Sequence, residues 1–476
     1  MNDQPFDLDP GLIDRFAAIV GDKYALRDQV EITPFLTERR GLWLGRTSLV
    51  LRPGNVEEVS RIMRLATETV TPVVPQSGNT GLVGAQVPDK SGREIVLSLS
   101  RLNRIREIDV LSNTVTAEAG VILQTLQEAA AAAGRLFPLS LAAQGTCQIG
   151  GNLSSNAGGT GVLAYGNARE LCLGVEVVLP TGEVFDDLRK LKKDNTGYDL
   201  KNLFVGAEGT LGVITAAVLK LFPKPKGREV AFVGLSSPQA ALSLFTLATD
   251  QAGAALTAFE LIGNRPYDFT LKHGQGITRP LADDWPWYVL MQVSSGRSEE
   301  DGRALIEEVL AAGLEQGIVG DAVVAASLAQ GDAFWNFRET LPECQKPEGA
   351  SIKHDISVPI ASIPEFIEKA AVAVASVSSG ARVVCFGHMG DGNLHYNISR
   401  PQGGDDEAFL GLYRPMNNAV HEVVRSFHGS ISAEHGIGQL KRDELIATAP
   451  PMAIDLMRRV KAAFDPAGIM NPGKVI

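Results

Sequence analysis

Three glycine-rich segments within the first 225 residues constrain the fold of this chain more than any other feature. They cover residues 70–84, 144–161 and 205–215, and the second is dense in Gly, Ser, Thr and Asn with almost no charge. Glycine permits close backbone approaches that other residues resist, and successive backbone N–H groups in such turns bind anions. The first segment alone is typical of a surface loop, and it lacks the G-x-G-x-x-G spacing of a dinucleotide-binding fingerprint. Taken together, the three segments predict one domain folded around an extended cofactor that carries a pyrophosphate.

Length and composition indicate a soluble protein of more than one domain. A chain of 476 residues favours two or more cores, and its 45% hydrophobic and 21% charged content is typical of globular proteins. The net charge of −11 argues against nucleic acid as a general partner. The acidic N-terminus lacks the features of a signal peptide, and no run of about 18 apolar residues predicts a membrane span. No C-x-x-C spacing joins the cysteines, which predicts reduced thiols in a cytoplasmic protein, with peripheral membrane contact left open: Cys147, Cys172, Cys344 and Cys385.

The periodic patterns predict two different architectures along the chain. Before Pro223, helical patterns alternate with β-branched runs, which predicts an α+β domain. The helical patterns cover 11–40, 57–68 and 121–134, and the β-branched runs cover 95–99, 114–117 and 213–222. The segment 223–227 contains prolines and a glycine and is a candidate boundary. Beyond it, each strand-like run precedes a helical pattern, which predicts a separate antiparallel sheet covered by helices: 230–235 then 238–251, and 287–293 then 298–311.

Residues 383–397 contain two histidines on either side of an Asp-Gly pair. Apolar segments joined by Asp-Gly are typical of a β-hairpin, and a turn at Asp391-Gly392 sets His388 opposite His395. Directly opposed residues share a face, with Cβ atoms roughly 5 Å apart, which would present two imidazoles to one metal ion. Asn397 shares that face. The alternative is a pair of ordinary histidines on a polar sheet face.

A third metal ligand is predicted further along the chain, in the segment 431–438. Glu434 and His435 stand there side by side between a short apolar run and two glycines. On a regular strand adjacent side chains diverge, whereas in an irregular turn both can point into one site. Glu434 would complete a two-His-one-carboxylate set with open positions, and His435 would act as a general base. The alternative is a turn histidine beside a solvated glutamate.

Two cationic residues are candidates for binding a carboxylate group. Arg338 stands where a helical stretch is predicted to end and offers a planar fork, and Lys353 offers a point charge in the predicted strand 351–359. The alternative for these residues is a solvated helix end and a sheet-edge lysine.

The glycine-rich segments resemble the FAD-binding domain of the vanillyl-alcohol-oxidase (PCMH-type) flavoprotein superfamily. Residues 387–397, 432–438 and 464–474 are similar to the branch of that superfamily that contains D-2-hydroxyglutarate and D-lactate dehydrogenases. The resemblance implies a PCMH-type FAD-binding domain at 1–225, a substrate or cap domain at 226–430, and a C-terminal segment, 431–476, that returns to the flavin domain. No histidine stands in the 75–81 loop, so we expect non-covalent FAD.

The resemblance also implies which residues contact FAD. They lie in the three glycine-rich segments and at one position near the C-terminus: Pro75, Gln76, Ser77, Gly78, Asn79, Thr80, Gly81, Leu82, Gly145, Thr146, Gly150, Gly151, Asn152, Asn156, Gly158, Gly159, Glu208, Gly209, Gly212, Ile214 and Asn471.

The activity that the resemblance implies is oxidation of a D-2-hydroxy acid to the 2-oxo acid, with hydride accepted by FAD. D-2-hydroxyglutarate is the leading substrate and D-malate the second. The metal is predicted to be zinc, with manganese and cobalt left open. Arg338 and Lys353 would hold a distal carboxylate and Asn397 the substrate near the metal. Pro342 stands where the resemblance leads us to expect a carboxylate-binding threonine.

Several alternatives remain open from the sequence. A D-lactate dehydrogenase that passes electrons to a cytochrome would not need Arg338 and Lys353, and a glycolate oxidase subunit is a further relative. A non-catalytic flavin- or metal-binding partner in a complex is the alternative outside enzymes. The electron acceptor stays open among an electron-transfer flavoprotein, a quinone and a cytochrome, and a homodimer is compatible with the sequence.

Overall fold

A computed structural model describes residues 8–476. Residues 1–7, part of the stretch that predicts no signal peptide, lie outside the described residues. The helices are α1 Pro10–Val20, α2 Gln29–Leu36, α3 Val56–Thr69, α4 Leu123–Ala132, α5 Ile149–Ser154, α6 Val162–Tyr165, α7 Ala168–Leu171, α8 Lys201–Phe204, α9 Pro238–Ala252, α10 Asn264–His273, α11 Glu299–Glu315, α12 Leu328–Cys344, α13 Ile363–Val377, α14 Asp406–Leu410, α15 Tyr413–Ser426, α16 Arg442–Thr448 and α17 Pro451–Phe464. The strands are β1 Ala25–Leu26, β2 Val50–Leu51, β3 Val73–Gln76, β4 Ile95–Ser98, β5 Ile105–Asp109, β6 Thr114–Glu118, β7 Arg135–Leu136, β8 Cys172–Val178, β9 Val184–Asp187, β10 Val213–Lys220, β11 Phe222–Pro223, β12 Gly227–Leu235, β13 Leu256–Gly263, β14 Trp287–Ser295, β15 Asp321–Val324, β16 Ser351–Ile352, β17 Asp355–Ser357, β18 Arg382–His388 and β19 Asn393–Ser399.

The chain divides into two compact units. The first unit comprises the residues up to Gly158, Asn167–Pro223 and Glu434–Ile476. The second unit comprises Gly159–Gly166 and Lys224–Ala433.

The first unit contains a four-stranded sheet, a five-stranded sheet and the short strand pair β7–β11. One sheet has the strand order β1-β2-β4-β3, with β3 parallel to β4, and the other is antiparallel with the order β5-β6-β10-β8-β9. Every residue of β4 is buried, because it lies inside its sheet and packs under α3. The N-terminus of α3 is fixed by Asn55, whose side chain accepts a hydrogen bond from the Glu58 amide. Met470, near the C-terminus, pairs with Val73 and joins the same core.

The second unit is an antiparallel sheet with helices on both faces. Its strand order is β15-β12-β14-β13-β18-β19-β16, and β17 also pairs with β19. Side chains alternate between two apolar cores: Ala231 and Val233 of β12 join one core with α9 and α11, whereas Val230 and Phe232 join the other with α10 and α12. The functional side chains described below follow this alternation and lie on the α12 face.

Serine caps fix the starts of the long helices in the second unit. Ser237, Ser298 and Ser327 each precede a helix and accept a hydrogen bond from an amide in its first turn. Such caps contribute about 1 kcal/mol each. The cap at Ser327 sets the start of α12, the helix that carries Arg338.

The observed elements match the predicted architecture in class and, outside the hairpin of residues 383–397, differ in three places. The helical pattern 11–40 is interrupted after α1 by Gly21, which has a φ of 80°, so the prediction of a continuous helix there is wrong. The predicted strand 351–359 breaks into β16 and β17 on either side of Lys353 and His354. Helix α12 does not end within the segment 334–340, as predicted, but continues to Cys344, with Pro342 inside its last turn.

Two further expectations concern the cysteines and the helices. All four cysteines are buried and none is disulfide-bonded, which confirms the prediction of free thiols. Within residues 8–476, no helix combines the length and the hydrophobicity that a bilayer span requires.

Candidate active site

The two histidines of the predicted hairpin lie on one face of the second unit's sheet, in a register that differs from the prediction. Strands β18 and β19 pair with Phe386, not His388, opposite His395. The connection is a 3-10 turn at Met389–Asp391 followed by Gly392 with a φ of 86°, so the predicted two-residue turn is wrong. The register moves by two residues, which preserves the alternation of faces. His388 and His395 therefore remain together, with ring centroids 5.6 Å apart.

A buried glutamate that the sequence interpretation missed joins this pair. Glu260 of β13 stands opposite His388, and its Oε1 lies 2.8 Å from Nδ1 of that histidine. Burial acts to raise the pKa of Glu260, but the neighbouring His388 and Arg338 outweigh it and hold that pKa below its ordinary value. The sequence signal was a single carboxylate within the apolar run 256–263.

Arg338 is part of the same network and is not a solvated helix end. Its Nε donates to Oε2 of Glu260 at 2.8 Å, and its Nη2 lies 2.7 Å from the same oxygen. The guanidinium carbon also lies 5.0 Å from the centroid of the Phe386 ring. Because Arg338 is only 5% exposed, its orientation is fixed by these partners. Lys353 is half-buried in the break between β16 and β17.

Asn397 and Asp355 lie on the same sheet face as His395. Nδ2 of Asn397 donates to Gln345 at 3.0 Å, and its Oδ1 accepts from the His354 amide at 3.3 Å. Asp355 stands directly opposite His395 and accepts a hydrogen bond from the Asn393 amide group at 3.0 Å. Asp355 was not predicted, although its place two residues after Lys353 in a β-like run marks it as a polar residue on a strand.

A cavity of about 790 Å³, including its open mouth, lies in the first unit where the glycine-rich segments meet. Segments 75–81 and 144–161 pack closely, since a side chain at Gly78 would lie 2.3 Å from the Thr146 carbonyl oxygen. The residues predicted to contact FAD that line this cavity are Pro75, Ser77, Gly78, Asn79, Thr80, Gly81, Gly151, Asn152, Glu208, Gly209, Gly212 and Ile214.

The other residues predicted to contact FAD do not line the cavity: Gln76, Leu82, Gly145, Thr146, Gly150, Asn156, Gly158, Gly159 and Asn471. Some of them support residues that do. The Gln76 side chain donates to the Gln86 carbonyl group, and that of Asn471 donates to the carbonyl groups of Ala85 and Glu208. Gly159 belongs to the second unit. The lining residues not predicted to contact FAD are Val83, Ala85, Gln86, Leu99, Gln148, Ser154, Ser155, Val213 and His435.

Buried polar atoms in the cavity wall would suit a ligand that offers both hydrogen-bond donors and hydrogen-bond acceptors. Oδ1 of Asn79, Oε1 of Gln148 and Nδ2 of Asn152 are buried and have no hydrogen-bond partner among the described residues. Leaving such a group unpaired costs about 1–3 kcal/mol. FAD fits this cavity because its phosphates, ribityl hydroxyls and ring nitrogens can supply the missing partners.

Glu434 and His435 stand in an irregular segment of the first unit, and the histidine reaches the cavity. Their side chains are 3.7 Å apart, and His435 lines the cavity. Glu208 secures the residues that follow, since its carboxylate accepts hydrogen bonds from the amides of Ile437 and Gly438 at 2.7 and 2.8 Å. Glu208 thereby ties the His435 segment to the cavity wall.

Glu208 makes the first unit's stability depend on pH. Burial, its largest influence, raises the pKa of Glu208 from 4.5 to about 6. The folded protein then binds this proton more tightly than the unfolded chain, so the stabilisation is complete below pH 4.5 and is lost as the pH rises through 6. At about 1.4 kcal/mol per pKa unit, the loss is about 2 kcal/mol.

We expect Glu208→Gln to remove this loss. The measurement is urea unfolding of both proteins at pH 4.5 and 6.5, and the difference in pH dependence isolates Glu208 from the other carboxylates. Parallel pH profiles in the two proteins would contradict the assignment.

Comparison with known proteins agrees with this geometry. A family model described as FAD linked oxidases, C-terminal domain, matches residues 224–475, and one described as FAD binding domain matches residues 47–187. A protein from Arabidopsis thaliana named D-2-hydroxyglutarate dehydrogenase, mitochondrial, is 37% identical over 98% of this chain and 82% of its own length. A protein from Xanthomonas citri pv. viticola named D-2-hydroxyglutarate dehydrogenase is 36% identical over 91% of this chain and 90% of its own length.

The fold is also found among solved structures. Substrate-bound p-cresol methylhydroxylase superposes with a TM-score of 0.77 at 16% identity, covering 99% of this chain and 98% of that one. This likeness confirms the predicted α+β, PCMH-type fold. With family models matching both halves of the sequence and relatives matching nearly all of it, the chain belongs to the FAD-linked oxidase family and is an FAD-dependent oxidoreductase.

Proposed function

We propose that this protein oxidises a D-2-hydroxy acid to the corresponding 2-oxo acid, with D-2-hydroxyglutarate as the first substrate and D-malate as the second. The observation that carries the proposal is the pairing of His388 with His395 on one sheet face, with Nδ1 of His388 held by Glu260. The relatives named D-2-hydroxyglutarate dehydrogenase support the choice of substrate. In this proposal residues 1–225 bind FAD without a covalent bond, 226–430 bind substrate, and 431–476 complete the flavin domain.

The proposed metal ligands are His388, His395 and Glu434. Two imidazoles and one carboxylate suit zinc, and also suit manganese or cobalt. The Glu260 contact makes Nε2 the ligating nitrogen of His388. Glu434 supplies the carboxylate of the two-His-one-carboxylate set that the sequence predicts.

The residues divide the chemistry between them. When bound, the metal ion would polarise the substrate hydroxyl group, and FAD would accept the hydride that leaves C2 as the 2-oxo group forms. His435 takes the hydroxyl proton as general base. Arg338 and Lys353 orient the distal carboxylate, and Asn397 donates to the substrate by exchanging its bond with Gln345. Pro342 lacks the hydroxyl group of a threonine, so the grip on the distal carboxylate depends on those two cations.

Anaerobic reduction of the flavin tests the proposal. We expect D-2-hydroxyglutarate and D-malate to bleach the flavin absorbance band quickly, with D-lactate at least about tenfold slower because it lacks the distal carboxylate and leaves buried donors unpaired. A metal chelator should abolish the bleaching. Absorbance spectra of the purified protein with each acid, with and without chelator, measure this.

The other outcomes separate the alternatives. Bleaching by D-lactate alone would favour a D-lactate dehydrogenase and discard the roles of Arg338 and Lys353. Bleaching by glycolate would favour a glycolate oxidase subunit. If none of these acids reduces the flavin, the protein is a flavin- or metal-binding partner and not a dehydrogenase of this kind.

The electron acceptor and the location complete the proposal. We propose an electron-transfer flavoprotein, a quinone or a cytochrome as the electron acceptor. Measuring how fast each of them reoxidises the reduced protein would distinguish these three. We propose a homodimer as the assembly. The name of the Arabidopsis relative includes mitochondrial, whereas that of the Xanthomonas relative does not. We therefore propose a location in the cytoplasm, with peripheral membrane contact, only if the protein comes from a cell like that of Xanthomonas.

A further inference from the structure

We propose that Glu260 is a positioning residue that sets both the ligating nitrogen of His388 and the orientation of Arg338, so that one buried carboxylate controls metal affinity and substrate length. This inference rests on the proposed function, since it assumes that His388 binds the metal and Arg338 the distal carboxylate.

The geometry assigns one carboxylate oxygen to each partner. Oε1 of Glu260 lies 2.8 Å from Nδ1 of His388, and Oε2 lies 2.8 Å from Nε of Arg338. The three side chains come from β18, β13 and α12, and Glu260 is 1% exposed. Each carboxylate oxygen therefore holds a partner from another element, and a rotation of Glu260 that improved one contact would loosen the other.

The first consequence concerns the tautomer of His388. An ionised carboxylate only accepts hydrogen bonds, so Nδ1 of His388 must carry the proton that lies between them. Nε2 then has the lone pair that a metal requires, and the ring is held against rotation. Carboxylate–histidine–metal arrangements of this kind change metal affinity by about 10–100-fold when the carboxylate is lost.

The second consequence concerns the charge of Arg338. Glu260 takes the Nε side of the guanidinium and neutralises most of its charge at close range. Phe386 lies against the guanidinium on another side, 5.0 Å away by its ring centroid. Arg338 therefore contributes oriented N–H donors toward a substrate carboxylate, and Lys353 supplies the charge. The length of substrate that fits then depends on where Glu260 holds the guanidinium.

A merely structural ion pair would behave differently. The same unit contains one for comparison: Glu348 accepts from Nε2 of His273 at 2.7 Å and from Nη1 of Arg382 at 2.6 Å. Glu348 thus joins one histidine and one arginine, as Glu260 does, and it also accepts from Nζ of Lys272 at 2.7 Å. None of these three partners is assigned to metal or substrate. Glu348→Gln is therefore a matched control for Glu260→Gln.

The test compares these two variants as purified holoproteins. Zn²⁺ affinity is measured by competition with a chromogenic chelator, and kcat and KM are measured for D-2-hydroxyglutarate and D-lactate. We expect Glu260→Gln to weaken Zn²⁺ binding by 10–100-fold, and to raise KM for the dicarboxylate about tenfold more than KM for D-lactate, the scale of losing one oriented polar contact. Glu348→Gln should leave both quantities within about twofold of wild type.

A second variant keeps the test decisive if Glu260→Gln does not fold. A buried arginine without its carboxylate is strongly destabilising, whereas removal of both charges is tolerated better. The double variant Glu260→Gln/Arg338→Met should therefore fold if the single one does not, and should show the same loss of Zn²⁺ affinity.

The outcomes distinguish this inference from the proposed function. If wild type binds Zn²⁺, every folded Glu260 variant binds it equally well, and Glu260→Gln, where it folds, keeps the wild-type ratio of KM values, the inference is overturned while the proposed function stands. An equal loss in the Glu348 variant would also overturn it. If wild type neither binds Zn²⁺ nor is reduced by any D-2-hydroxy acid, the proposed function fails and the inference fails with it.

Discussion

Replacing His388 with alanine is expected to strip the metal ion from the protein and to lower kcat/KM by about a thousandfold, with the FAD content unchanged. A metal that polarises the reacting hydroxyl is worth several kcal/mol, and each 1.4 kcal/mol or so is tenfold in rate. FAD should stay because the lining of its cavity belongs to the first unit, whereas His388 belongs to the second. Elemental analysis, the flavin spectrum and steady-state kinetics of the variant measure the three quantities.

A matched control exists among the other histidines of the second unit. His273 also bonds to a glutamate, Glu348, at 2.7 Å, but it lies at the end of α10 and is assigned no metal. His273→Ala should keep its metal and its kcat/KM. Unchanged metal content in the His388 variant would refute the ligand assignment, and metal loss in both variants would point to a general loss of structure in the second unit.

Local sequence patterns predicted the strands around the candidate site better than they predicted the register in which those strands pair. The sequence around Asp391 and Gly392 identified the hairpin, but the register depends on how many residues the turn takes up. The 3-10 turn from Met389 to Asp391 together with Gly392 uses two more residues than the predicted turn, and Phe386 therefore faces His395. The two histidines stayed on one face only because the error was an even number of residues.

Contacts between residues far apart in the chain could not be predicted from the sequence, for a physical reason. Glu260 and His388 are 128 positions apart, and their contact depends on β13 lying beside β18 in the sheet. The sequence predicts Arg338 as a carboxylate-binding residue, with a solvated helix end as the alternative, and it does not identify Glu260 as the partner that burial of an arginine requires. Strand order in an antiparallel sheet is a property of the whole fold, so local periodicity cannot supply it.

At the cofactor cavity, in contrast, local sequence patterns identified much of the wall without any knowledge of strand order. Its wall is made of short segments rich in glycine and small polar residues, and Ser77, Asn152 and Gly209, which are predicted to contact FAD, are among the residues that line it. The residues that escaped prediction, such as Val83 and Leu99, are apolar and resemble ordinary core residues in sequence. Which predicted residues line the cavity and which support it from behind, as Gln76 does, depends on packing that no motif records.

Replacing His435 with asparagine is expected to lower kcat by about 10²–10⁴-fold, the usual contribution of a general base, while metal and FAD contents remain at wild-type values. Asparagine cannot take up a proton at neutral pH, but it keeps a polar side chain of similar reach. Substrate binding should change little, because the proposed carboxylate contacts are those of Arg338 and Lys353. Single-turnover flavin reduction measures the chemical step directly and separates it from reoxidation.

The control is His428→Asn, since His428 is exposed and asparagine tolerates its φ of 56°. That variant should reduce its flavin at the wild-type rate. If His435→Asn also reduces its flavin at the wild-type rate, the proton goes elsewhere, and Glu434, 3.7 Å away, becomes the candidate base. If His435→Asn instead loses its metal, the histidine is a ligand, and the set of His388, His395 and Glu434 must be enlarged. Because the rate and the metal content vary independently, the two measurements together decide between a base and a ligand at this position.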